Sequence, residues 1–62
     1  MSGPSDFLKE AARLRDMAHR ARRMAGQLSI DPDRRRLEEY AQELETEAAA
    51  WERRAAAEKT KE

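Results

Sequence analysis

Apolar residues recur along this chain at alternating intervals of four and three. In the first half they fall on Phe7, Ala11, Leu14, Ala18, Ala21, Ala25 and Leu28, and in the second on Leu37, Ala41, Leu44, Ala48, Trp51 and Ala55. That spacing keeps them on one stripe of an α-helix. The two patterns are separated by Gly26, Ser29, Asp31 and Pro32, residues that end or begin helices. The spacing therefore predicts one helix over about 5–27, a turn at about 26–31 and a second helix over about 32–58. Ser5 is the expected N-cap of the first helix, with Pro4 tolerated beside it because a first turn needs no amide donor. Gly26 is expected to end that helix in the left-handed conformation. Asp31 is the expected cap of the second helix, with Pro32 at its first helical position. The closing residues Lys59, Thr60, Lys61 and Glu62 are expected to fray.

Written as heptads with Phe7 and Leu37 at position d, every following a position is alanine: Ala11, Ala18, Ala25, Ala41, Ala48 and Ala55. Most d positions are large. Small residues let two helices approach closely, and large ones fill the space opposite. Folding the chain back at the turn pairs Phe7 with Ala55, Ala11 with Trp51, Leu14 with Ala48, Ala18 with Leu44, Ala21 with Ala41, and Ala25 with Leu37. Only the Ala21–Ala41 layer lacks a large member, and Met17, Met24 and Tyr40 flank it.

The columns beside the seam test the same arrangement. On the e side, Arg22 is expected to meet Glu38, and Arg15 to meet Glu45. On the g side, Glu10 is expected to meet Arg54, and Met24 to meet Tyr40. Three opposite-charge matches without a clash favour an antiparallel pair. The expected fold is all-α: an antiparallel helical hairpin with an alanine-rich seam. A chain of 62 residues buries little surface alone, and the g side is more apolar than one hairpin needs. Met17, Met24, Leu28, Ile30, Tyr40 and Trp51 are therefore the expected face for a second copy, giving a homodimeric four-helix bundle.

Charged residues make up 42% of the chain, yet the formal net charge is zero. The neutrality is uneven. Residues 20–36 hold six arginines against Asp31 and Asp33, a balance of +4, which leaves −4 for the remainder. A hairpin gathers Arg20, Arg22, Arg23, Arg34, Arg35 and Arg36 at its tip. The last three begin a helix whose positive dipole end disfavours them. Two readings compete. Local pairing would join Arg34 to Glu38 and Arg35 to Glu39, and would lay Arg36 against Tyr40. Alternatively, Arg20, Arg23, Arg34, Arg35 and Arg36 form a docking pole for a phosphate or carboxylate, which arginine forks bind well.

Other chemistry is sparse. The chain has no cysteine, and its single histidine, His19, lies one turn from Arg15 and from Arg23, so neither a metal centre nor a cofactor is expected. Ser5 and Ser29 read as helix-end residues. The glutamates Glu38 to Glu52 face no cleft that would make them an acid–base pair, so no enzymatic activity is expected. No apolar run approaches the roughly 20 residues that cross a bilayer, and the first residues are unlike a signal peptide; a cytoplasmic protein without a membrane partner is the expectation.

Chain length, one turn near residue 30 and a dimeric bundle together resemble the Rop family of plasmid RNA-binding proteins. That resemblance implies RNA binding through first-helix residues, here Arg13, Arg20 and Arg23. Asp31-Pro32, Arg36-Leu37, Tyr40-Ala41 and Leu44-Glu45 are also similar to segments of short bacterial helical-hairpin proteins, a likeness that implies a fold and no activity. The expected role is a small interaction or regulatory module acting through protein contacts, with an acidic protein as a further candidate partner. Rop-like RNA binding through the arginine tip and first helix is the alternative.

Overall fold

The computed structural model describes residues 3–59, which form two helices: α1, Pro4–Gln27, and α2, Asp31–Lys59. At about 1.5 Å per residue, the 29 residues of α2 span about 44 Å. The principal dimensions are 50 × 14 × 13 Å, so the helices lie side by side and the chain doubles back through residues 28–30.

The helices begin one or two residues earlier than their polar residues suggested. Gly3, not Ser5, is the N-cap of α1; its carbonyl accepts from the Phe7 N–H at 3.0 Å, no side chain caps the helix, and Pro4 supplies a preset φ. The carbonyl of Ile30 accepts from the Arg34 N–H at 3.0 Å, which places Asp31 inside α2 and not at its cap. Both aspartates of that first turn suit the positive helix end. Gly26 also departs from expectation. It does not turn left-handed but stays helical, and the last turn tightens instead, with the Leu28 N–H donating to the Ala25 carbonyl at 3.1 Å. Leu28 then leaves in extended conformation, so no positive φ is needed. α2 continues through Lys59; the fraying expected of Thr60–Glu62 lies outside the described residues.

The seam follows the alanine pattern. Phe7, Ala11, Leu14, Ala18, Ala21 and Ala25 of α1 are buried with Ala41, Leu44, Ala48 and Ala55 of α2, and among the described residues no polar side chain is buried with them. Ala41 and Ala48 are wholly covered, whereas no large side chain among the described residues is. Two helices can enclose a methyl group between their backbones, but a larger group extends past the edge of the contact. Leu37 and Trp51, expected in the core, are accordingly half-buried and pack on it from the side, together with Met17. Of the three residues expected to flank the Ala21–Ala41 layer, Met17 packs against the core, while Met24 and Tyr40 remain exposed.

Two substitutions test this account by thermal melting followed by circular dichroism. Leu44→Ala should cost about 2–4 kcal/mol, because the two-helix seam has no third layer to collapse into the vacated space. Gly26→Ala should raise stability by roughly 0.5–1 kcal/mol, since the glycine is helical and a methyl group there meets nothing within 4 Å. A destabilising alanine would mean that the helix does not run through this position.

Candidate interaction surfaces

The two edges of the seam differ in chemistry. The e edge is closed by two bidentate ion pairs. Arg15 donates from Nε and Nη2 to Glu52 at 2.8 and 2.7 Å, and Arg22 does the same to Glu45 at 3.1 and 2.7 Å. The expected partners were Glu45 and Glu38, so each arginine selects the glutamate one heptad further along α2. Side-chain direction explains the choice. Helical side chains lean toward their own N-terminus. In an antiparallel pair, Arg15 and Glu52 therefore lean toward one another, whereas Arg15 and Glu45 lean apart. The same argument applies to Arg22, so among the described residues Glu38 makes no cross-helix ion pair and feels Arg22 only through its charge. Bridging by Arg15 and Arg22 holds the Glu52 and Glu45 carboxyls below their ordinary value, chiefly through the hydrogen bonds themselves.

On the g edge, the expected Glu10–Arg54 pair is replaced. Glu10 accepts from Arg13, three residues on, with Nε at 3.1 Å from Oε1. Arg13 also reaches the Met17 sulfur at 3.3 Å. Arg54 instead lies over two aromatic faces, its guanidinium carbon 4.9 Å from the Phe7 centroid and 4.8 Å from that of Trp51. These rings are 5.4 Å apart, so the arginine covers an aromatic pair at the open end of the hairpin. Toward the tip the same edge is uncovered: Met24 is 57% exposed and Tyr40 is 45% exposed. Leu28, half-buried, and Ile30, 59% exposed, lie in or beside the connecting loop at the end of this edge. Leu8 is a further exposed apolar residue, outside the face expected for a second copy. It occupies the e column at the open end, is 47% exposed, and borders an open apolar depression with Pro4 and Ala12. An apolar residue in an otherwise charged e column was the available signal.

The arginine tip forms, but without the local pairs weighed for it. Arg20 bonds to Asp16 at 2.8 Å. Arg23, Arg34, Arg35 and Arg36 are exposed, and among the described residues none of them makes an ion pair. Arg36 likewise makes no ring contact with Tyr40. Sequence order accounts for the difference. In both local pairs that form, Glu10–Arg13 and Asp16–Arg20, the acid precedes the base, which is the favoured orientation on a helix. Arg34 and Arg35 precede their glutamates and lean away from them.

Among the described residues, no group of three or more His, Asp or Glu side chains is placed to hold a metal ion, and no helix is long and apolar enough to cross a membrane. Compared with known proteins, the chain matches no family model, no curated relative and no solved structure.

The ion-pair edge makes a pH prediction. Because the folded carboxyls titrate lower than the unfolded ones, the bridges contribute fully above the ordinary glutamate value of 4.5 and are lost as pH falls through the depressed folded values. Melting temperature should hold steady from neutral pH to about 5 and then decline. The double variant Glu45→Gln, Glu52→Gln should show a shallower acid decline. Equal declines in both proteins would remove these bridges from the stability of the pair.

Proposed function

We propose that this hairpin is a non-enzymatic interaction module whose g edge pairs with a second copy to complete a four-helix bundle. The observation that carries the reading is the asymmetry of the two edges. The e edge is bridged by Arg15–Glu52 and Arg22–Glu45 and, of large apolar side chains, exposes only Leu8, at the open end, whereas the g edge leaves Met24 and Tyr40 in solvent and Met17 and Trp51 half-covered. Burying apolar surface in a second layer would cover these side chains and supply the stabilisation that a two-helix seam lacks. A symmetric dimer is the commonest way to do so. The bundle then acts through protein contacts, and its arginine tips stay available to anionic partners.

The Rop-like alternative uses first-helix arginines to hold RNA. Two of the three, Arg13 and Arg20, are already engaged by Glu10 and Asp16. This favours the pairing module over the RNA-binding reading.

Sedimentation equilibrium over micromolar concentrations tests the proposal. The expected mass is twice that of the 7.2 kDa chain, with helicity falling on dilution. Met24→Glu combined with Tyr40→Glu should yield a less helical monomer. A wild-type chain that stays monomeric and fully helical at every concentration would end the proposal.

A further inference from the structure

We infer that the hairpin tip is a docking point for an anionic lipid surface, with Ile30 as the inserted residue and the unpaired arginines as its charged collar. The inference does not depend on pairing through the g edge, because the loop stands past the ends of both helices. It departs from the expectation of no membrane partner, which rested on the absence of a spanning segment and not on the tip.

Three observations meet at this place. Ile30 is the most exposed large hydrophobic residue among those described, and it sits in the three-residue loop with Leu28 beside it. Arg23, in the last two turns of α1, and Arg34, Arg35 and Arg36, in the first two turns of α2, flank that loop, exposed and without ion pairs among the described residues. With Arg20 and Arg22 taken up by Asp16 and Glu45, the four remaining arginines of residues 20–36 outnumber Asp31 and Asp33 by two. Apolar side chains at an apex ringed by arginine suit the boundary between acyl chains and acidic headgroups.

Shape and composition separate this surface from other anionic partners. The molecule is 14 by 13 Å across its long axis, so its end offers a cross-section of only about 180 Å², against the about 800 Å² that a protein partner usually covers on each side. A bilayer needs no matching surface and closes around a small probe. Nucleic acid would use the arginines but would gain nothing from Ile30. Single-stranded targets are also held by stacking, and the aromatic pair Phe7–Trp51 lies at the opposite end under Arg54.

Co-flotation of the full chain with vesicles tests the inference. Vesicles of phosphatidylcholine with about 30% phosphatidylserine should bind it, and vesicles of pure phosphatidylcholine should not. Each arginine near the surface contributes about five-fold, so Arg34→Gln, Arg35→Gln, Arg36→Gln should lower partitioning by about 100-fold. Ile30→Ser should lower it by roughly five-fold or more while leaving the circular dichroism spectrum unchanged. Raising salt to about 0.5 M should release the chain. Trp51 emission should not shift on binding, because the indole is at the far end. The inference fails if anionic vesicles bind no better than neutral ones, if Ile30→Ser leaves partitioning intact, or if Trp51 shifts as in side-on docking. It also fails if the tip prefers duplex RNA to the vesicles at matched salt.

Discussion

The fold depends on how closely two α-helices can approach when one position in every heptad is a methyl group. Ala11, Ala18, Ala25, Ala41, Ala48 and Ala55 allow that approach, and all six are buried. Larger residues at these positions would hold the backbones apart and expose the leucines between them. Phe7, Leu14 and Leu44 then occupy the space that the alanines leave, without any being completely enclosed. The arrangement has a cost. A seam built from methyl groups removes little apolar surface from water, so the hairpin has little stability to spare.

That thinness explains why the edges matter. Exposed ion pairs contribute little energy individually, but two bidentate pairs offset in the same direction select one alignment of the helices over its neighbours. The opposite edge has no comparable closure near the tip. It carries methionine and tyrosine side chains, which adapt readily to a partner surface. Arg54 shows what covering looks like where the chain provides its own: one guanidinium shields both Phe7 and Trp51 at the open end. No equivalent group shields Met24 or Tyr40, which remain in solvent.

Much of this architecture was legible in the chain, because the repeat of fours and threes is long and never slips. The twelve residues assigned to the layers are the ten buried ones plus Leu37 and Trp51, which lie against the same seam. What escaped a linear reading depends on local three-dimensional direction. The caps fell on Gly3 and Ile30 because hydrogen-bond register, not side-chain polarity, decides where the first turn closes. Gly26 stayed helical because an extended Leu28 ended α1 without a left-handed residue. Arg15 and Arg22 chose unexpected glutamates because helical side chains tilt along the axis, a vector that position labels omit. The apolar g edge and the arginine tip were recognisable as candidates; that Arg13 and Arg20 are engaged while Arg34, Arg35 and Arg36 make no ion pair among the described residues follows from side-chain direction, which composition does not carry.

The most direct test of the alanine seam is a double-mutant cycle across one layer, Leu14 and Ala48, read as unfolding free energy. The account predicts that Leu14→Ala and Ala48→Leu each destabilise the protein, one by emptying the layer and the other by overfilling it. Exchanging the two together should recover at least about 1 kcal/mol of their summed loss, since the layer again holds one large and one small residue. Additivity within about 0.3 kcal/mol, or a stabilising Ala48→Leu, would contradict it, because these residues would then not share a layer.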